Sequence, residues 1–357
     1  MGQHDSAAET DAVVARADAL NQLGRHDEAL RLVSPVLAHD PQHLGANVTA
    51  AVSLLNTGRV QEARPVLQRV AQAHPDAADP LRLLSYAAVQ LREGSTAVGC
   101  ARRAVELEPW GVESHIQLSV ALTCARDHLA AVAAARRAVE LAPSSAGAHL
   151  ALVGALFPDG ANPPESDLTR AERHVQLALS LEPGNAIAHN ELGRIAMARG
   201  QPFAAASALT RAVITDPRQD VALDNISLVF GLMVLRAHYV MFVLWFMARA
   251  AVKPVPVARL GLWLTEAIGV SVLAWTVIKL RAASGQGMAR GLVREFARRD
   301  PLGAAWCAAV MSSGLALVVM GFTSDELTRA LLWVVGGCLA GGAILSWVRA
   351  ARRKARG

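Results

Sequence analysis

The stretch RAVELEP at residues 103–109 returns as RAVELAP at 137–143, 34 positions later. Outward from Pro109 and Pro143, the same step of 34 leads back to Pro75 and Pro41. In the other direction Pro183 follows after 40 residues and Pro217 after a further 34, closing LALSLEP (177–183) and RAVITDP (211–217). Twelve residues before each proline stands an alanine: Ala29, Ala63, Ala97, Ala131, Ala171 and Ala205. A fixed period of this length marks an array of small supersecondary units.

Within a period the apolar residues recur at helical spacing. In 112–145, Ile116, Val120 and Thr123 share one face, and Leu118, Ala121 and Leu122 another. Gly24, Gly58 and Gly200 fall between two such segments, and the closing proline stops the second helix. The chain therefore reads as all-α, with a tail at 1–9 and six helix pairs at 10–43, 44–77, 78–111, 112–145, 146–185 and 186–219. One pair cannot bury its apolar face alone, but stacked pairs can. The fifth unit has six extra residues within PDGANPPESD (158–167), whose Asp-Gly and Pro-Pro pairs predict a surface loop. Ser166 or Asp167 is expected to cap the helix that follows.

A second small residue recurs in the first helix, at Ala17, Ala51, Ser85, Ser119 and Gly193, with Val153 in the fifth unit. This position, the alanine in the second helix, the closing proline and the period together resemble the tetratricopeptide repeat, over about residues 10–219. The large aromatic that the family carries early in its first helix is replaced by Val13, Asn47, Leu81, His115, His149 and His189. The resemblance implies a right-handed superhelical solenoid whose first helices build a concave face that holds a peptide or helix from a partner. On that expectation the groove consists of Val48, Val52, Leu55, Arg82, Tyr86, Val89, Ile116, Val120, Leu150, Phe157, Asn190 and Arg194. Its apolar middle favours an amphipathic helix as ligand. The Lys and Asn pattern with which some family members clamp a C-terminal carboxylate is absent.

After Pro217 the character changes. Apolar stretches near 226–248, 260–279, 302–322 and 328–348 approach or exceed the ~20 residues that cross a hydrocarbon core, predicting a bundle of about four transmembrane helices. Arg236 and Glu266 interrupt the first two. In antiparallel neighbours their depths differ by about 6 Å, which suits an intramembrane ion pair. Residues 1–219 carry 19 arginines and 23 acids, a net charge of −4; residues 220–357 carry 16 Lys or Arg and 7 acids, a net of +9. The excess sits in the 281–300 segment and in the tail (Arg349, Arg352, Arg353, Lys354, Arg356), which places both in the cytoplasm of a plasma (inner) membrane. With four spans the repeats are cytoplasmic too, in keeping with an N-terminus that lacks the apolar core of a signal peptide. The Arg-rich, Lys-poor, Ala-rich composition is of bacterial type. Arg290, Arg294 and Arg298 line one face of an amphipathic segment suited to an anionic leaflet. Gly337 and Gly341 form a small-xxx-small pair that permits close packing, within the chain or between two copies.

No chemistry-bearing motif appears. Cys100, Cys124, Cys307 and Cys338 form no Cys-x-x-Cys pair. There is no phosphate-binding loop, nucleophile elbow or His-Glu-x-x-His motif. The acidic balance of the repeats argues against nucleic acid. The expectation is a membrane-anchored scaffold without cofactor, metal or catalytic site. A transporter or channel component, with function carried by Arg236, His238 and Glu266, is the alternative.

Overall fold

A computed structural model describes residues 2–216, 220–251, 297–298, 300–320 and 325–354. Among the described residues there are fifteen helices and no strand. The chain divides into two compact units, Met1–Pro183 and Gly184–Gly357.

The first unit holds five helix pairs: α1 (Gly2–Gln22) with α2 (His26–His39), α3 (Leu44–Asn56) with α4 (Val60–Ala73), α5 (Ala78–Gln90) with α6 (Gly94–Leu107), α7 (Val112–Cys124) with α8 (His128–Leu141), and α9 (Ala146–Leu156) with α10 (Glu165–Leu181). The second begins with a sixth pair, α11 (Ala186–Ala198) and α12 (Pro202–Thr215), and continues with α13 (Asp220–Ala251), α14 (Pro301–Met320) and α15 (Asp325–Lys354).

The prolines explain the boundaries. Every second helix of a pair ends two residues before its proline, and each first helix from α3 to α11 begins three residues after one. The residue preceding the proline is Asp40, His74, Glu108, Ala142, Glu182 or Asp216. Its φ lies between −126° and −139° and its ψ between 70° and 96°. A following proline ring excludes the α region for that residue, so the helix must stop there.

All six period-marking alanines, Ala29, Ala63, Ala97, Ala131, Ala171 and Ala205, are 0% exposed. Their partners in the first helices are buried as well, and in the fourth pair Ser119 Oγ donates to the Ala131 carbonyl at 2.9 Å. Neighbouring pairs then share cores. Ala51, Leu54, Leu55, Val60, Ala63 and Leu67 of the second pair pack with Leu83 and Ala87 of the third. Polar bonds tie successive first helices together: Thr49 Oγ1 donates to Asp18 at 2.6 Å, Ser53 Oγ to Asn21 at 2.8 Å, and Gln117 Nε2 to Ser85 Oγ at 3.0 Å.

Two expectations need correction. Neither Ser166 nor Asp167 caps α10. The N-cap is Pro164, whose fixed φ of −63° and extended ψ of 155° lead straight into the helix, leaving Asp167 in the first turn paired with Arg170 at 3.1 Å. The apolar stretch read as one span near 226–248 is also divided between two structures. Ile226, Val229 and Met233 are buried against Ala196, Ala205, Ala206 and Leu209 of the sixth pair, and Asn225 Nδ2 donates to Asn190 Oδ1 at 2.9 Å. That bond matches the ones between successive first helices, so the N-terminal half of α13 occupies the place of a seventh first helix. Only from Val234 onward does α13 pack with α14 and α15. Hydropathy alone does not register this division, because the buried cap of a solenoid and a lipid-facing span are equally apolar.

The turn inside each pair needs one left-handed residue. Gly24, Gly58 and Gly200 supply it with φ of 71°, 75° and 69°, but the third and fourth pairs place Arg92 (φ 60°) and Arg126 (φ 63°) there. A side chain in this conformation costs roughly 1 kcal/mol or more. Replacing Arg126 by Gly is expected to stabilise the protein by about 0.5–1 kcal/mol. Gly58→Arg, where an added Cβ meets nothing within 4 Å, should lose a similar amount through the backbone alone. Denaturant melts of the two variants check this pair of opposite shifts.

Candidate functional site

The inner face of the first unit carries a concavity of about 350 Å³ lined by Val52, Leu55, Asn56, Arg82, Leu83, Tyr86 and Gln117. Three successive first helices, α3, α5 and α7, contribute to it. Its floor is apolar, and Leu55 and Leu83 belong to the core beneath. Tyr86 is 38% exposed at its edge, and Arg82 pairs with Asp79 at 2.6 Å. An exposed Tyr and a half-buried Arg over Leu55 and Leu83 are of the side-chain types that dominate protein–protein contacts.

Of the groove residues read from the sequence, Val52, Leu55, Arg82 and Tyr86 meet in this concavity. Val48, Val89, Ile116, Val120 and Leu150 are half-buried on the same series of helices. Phe157 is buried where α9 ends, because the chain turns there into the six-residue insertion. Asn190 and Arg194 lie in the second unit. Asn190 is buried beneath α13, and Arg194 pairs with Glu191 at 2.6 Å with both side chains little exposed. Asn56, Leu83 and Gln117 were not foreseen. Asn56 follows Val52 at helical spacing and was legible, whereas Gln117 reaches the site only through the stacking of α7 on α5.

The histidines at the family's aromatic position serve the structure. His115 Nε2 and His149 Nε2 each lie 3.0 Å from the carbonyl of the proline six residues earlier, Pro109 and Pro143, and Asn47 Nδ2 donates to Pro41 at the same distance. A side-chain N–H thus fastens each of these first helices to the proline that closes the preceding unit. His149 also meets His174 of α10, with Nδ1 to Nδ1 at 3.0 Å and the rings stacked at 5.2 Å. With its Nε2 proton committed to Pro143, His149 accepts at Nδ1 and His174 donates. Burial first, then the neighbouring His149, pushes the His174 pKa below its ordinary 6.5. Among the described residues no group of three or more His, Cys, Asp or Glu could hold a metal ion.

In the second unit α13, α14 and α15 form a bundle whose register is fixed by three aromatic contacts. Trp306 Nε1 donates to His238 Nδ1 at 3.3 Å, and a Cβ on Gly342 would lie 3.0 Å from Trp306 and 3.3 Å from His238. Trp245 Nε1 donates to the Leu332 carbonyl at 2.8 Å and packs on Gly336. His238 is therefore level with Gly342, and Trp245 with Leu332 and Gly336, so α13 runs antiparallel to α15. As α14 and α15 form a short-linked hairpin, α13 is parallel to α14. It follows that the start of α14, preceded by exposed Arg298, and the end of α15 lie at the bundle end nearer the sixth pair. Arg236 is exposed at this end, its Nη2 3.8 Å from where a Cβ on Gly200 would stand. Glu266, Arg290 and Arg294 lie outside the described residues. Among the described residues, nothing lies within 4 Å of a Cβ added at Gly337 or Gly341.

The outer surface of the bundle is apolar. Tyr239, Phe242, Val243, Phe246, Leu315, Val334 and Ile344 are exposed, and Trp333 and Trp347, 14 residues apart on α15, are 71% and 72% exposed. Among the described residues two segments, Val221–Phe246 and Ala330–Val348, are long and apolar enough to cross a membrane.

Comparison with known proteins agrees with the geometry. Residues 11–86 and 165–220 match family models described as tetratricopeptide repeat. A tetratricopeptide repeat protein from Parabacteroides merdae ATCC 43184 is similar in structure, with a TM-score of 0.52 at 13% identity over 62% of this chain and 84% of its own. TTC0263, a thermophilic repeat protein of Thermus thermophilus, gives 0.47 at 18% identity over 52% and 97%. MamA from Desulfovibrio magneticus RS-1 gives 0.37 at 21% over 50% and 97%. No curated protein matches the chain. Residues 11–86 and 165–220 are thus similar to the tetratricopeptide repeat, and the fold of the helix pairs is that of an all-helical repeat solenoid of this type.

Two outcomes are expected from the histidines. His115→Ala leaves the Pro109 carbonyl unpaired and should cost about 1–3 kcal/mol, whereas His115→Asn, the residue type that serves Pro41, should cost less; thermal melts compare them. The folded chain holds His174 below 6.5 while the unfolded chain binds a proton at about that value, so stability is full above pH 6.5 and declines as the pH falls toward the lowered folded pKa. Acidifying from about pH 7.5 to 5.5 should lower the melting temperature of the intact protein more than that of His174→Phe.

Proposed function

We propose that this protein is a non-catalytic, membrane-anchored scaffold: its repeats capture a protein partner on the concave face, and the bundle holds that partner at the cytoplasmic side of a bacterial plasma membrane. The observation that carries this reading is α13. One uninterrupted helix caps the last repeat with its first half and joins an apolar-surfaced bundle with its second. In water such an exterior would aggregate, whereas in lipid it needs no cover. From Val234 to Ala251 α13 measures about 27 Å and α14 about 30 Å, close to a hydrocarbon core. Trp333 and Trp347 stand where interfacial aromatics belong.

The register supports the orientation. Arg298 and the basic tail from Arg349 to Lys354 belong to the bundle end nearer the sixth repeat, and positive charge favours the cytoplasm. The parallel course of α13 and α14 fits a reading with four spans, since the chain leaves α13 at one end and enters α14 at the other. The stretch 260–279, which would make that return, lies outside the described residues, as does Glu266, the partner expected for Arg236 in an intramembrane ion pair. Lipid contact by the arginine face that includes Arg298, and pairing of two copies across the Gly337 and Gly341 face, belong to the same reading.

The test is cross-linked capture from membranes, comparing the intact protein with Tyr86→Ala and Val120→Arg at matched, alkali-resistant membrane content. Partners held by the intact protein and lost from both variants support groove capture. The same partners in all three samples would remove the groove from the mechanism, and loss of the intact chain from alkali-washed membranes would remove the anchor.

A further inference from the structure

Charge in the first unit is divided between its two layers of helices. The five first helices, α1, α3, α5, α7 and α9, carry six acids and two arginines, a net charge of −4. The five second helices, α2, α4, α6, α8 and α10, carry eight acids and nine arginines, a net of +1. The layer that builds the inner face is therefore acidic, and the outer layer is close to neutral. Asp11, Asp79 and Glu113 stand at one position of the repeat, 68 and 34 residues apart. Asp79 meets Arg82, which lines the concavity, and Glu113 lies about one helical turn before Gln117, which lines it too. Asp18 holds in α1 the place that Val52 and Tyr86 hold in α3 and α5, and accepts from Thr49 Oγ1.

Arg82 is already paired with Asp79 at 2.6 Å, so it offers little to an acidic ligand. Asp11 and Glu113 are exposed, and among the described residues neither is held in an ion pair. Beside these carboxylates lies the apolar floor of Val52, Leu55 and Leu83, continued on α7 by half-buried Ile116 and Val120. A wall made of helices presents no strand edge, so it cannot hold an extended segment by backbone pairing. A helix with an apolar stripe is the form such a wall receives. Cations flanking that stripe answer the carboxylates, whereas acids there would be repelled.

We propose that the inner face selects a basic amphipathic helix of a partner protein, with its apolar stripe on Val52, Leu55 and Leu83 and its arginines or lysines toward Asp11 and Glu113. The proposal rests on the groove reading above and deepens it by fixing the sign of the ligand's charge. The apolar floor holds the helix, and the carboxylates steer its approach and reject acidic competitors. Each exposed carboxylate contributes little, so the selection comes from several acting together.

Fluorescence anisotropy with the full-length chain in phosphatidylcholine nanodiscs tests it, with empty discs as the blank. Two labelled helical peptides share one leucine stripe and differ only in the flanking charges, arginine in one and glutamate in the other. The arginine peptide should bind about tenfold more tightly at low salt, and the gap should narrow as salt screens the exposed charges. Asp11→Asn and Glu113→Gln should each weaken the arginine peptide by about two- to fivefold and tighten the glutamate peptide. Tyr86→Ala should weaken both peptides alike. Equal binding of the two peptides, or preference for glutamate, would overturn the proposal while leaving the groove in place if Tyr86→Ala still weakens both. Binding of the arginine peptide only after Arg290, Arg294 and Arg298 are replaced by Gln would show that the chain's own basic segment competes for this face, and would overturn the assignment to a partner. Binding of neither peptide, with or without those replacements, would remove the groove reading itself.

Discussion

The two helices of each repeat approach closely because their contact surfaces are nearly bare. Six alanines, one per repeat, are wholly covered, and the facing position in the first helix is small in every repeat but the fifth, where it is Val153. Where it shrinks to Gly193, an added Cβ would stand 2.5 Å from Leu209, which measures how little space remains. Larger residues here would force the helices apart, and overpacking of this kind typically costs about 1–3 kcal/mol. The stacking of one repeat on the next depends on this spacing, because it sets which residues of the first helices are left over for an inner face. Surface ion pairs such as Arg59–Glu62 and Arg103–Glu106 are solvent-exposed and contribute little beside it.

The same packing explains how the solenoid ends. A terminal repeat has an apolar flank with nothing to cover it. In the second unit α13 covers it, using Ile226, Val229 and Met233 in the core and Asn225 in the polar bond that successive first helices exchange. No proline interrupts the helix after this cap, so it continues as an outer member of the bundle. The change of environment along one helix is visible in what surrounds it. Around Val229 the neighbours are small residues of a repeat, and around Met241 they are Trp306, Val310 and Leu339.

Tryptophans supply the register of that bundle. Trp245 and Trp306 each spend their single N–H on a neighbouring helix, at Leu332 and His238, and each packs on a glycine of α15. The glycines of this short run thereby differ in what they do. Gly336 and Gly342 make room for indoles, while among the described residues nothing packs on Gly337 and Gly341. In the sequence the run is only a small-residue motif, and its two faces acquire different meanings once the partners are known.

Much of the repeat architecture is a property of the sequence by itself. Proline restricts the residue before it, so a proline every 34 residues dictates where helices stop, and an alanine at a fixed distance dictates where two helices touch. The centre of the inner face, Val52, Leu55, Arg82 and Tyr86, was legible for the same reason, since helical spacing fixes which residues share a side. Tertiary structure decided the rest. Arg92 and Arg126 adopt the left-handed turn that glycine marks elsewhere, because the stacked helices hold the chain there against its local preference. The histidines at the aromatic position became ties to proline carbonyls only when the preceding unit was in place. The sequence also could not divide the apolar stretch after Pro217, since burial in a repeat and burial in a bundle demand the same side chains. The distinction lies in which neighbours arrive, and that is settled only by the fold.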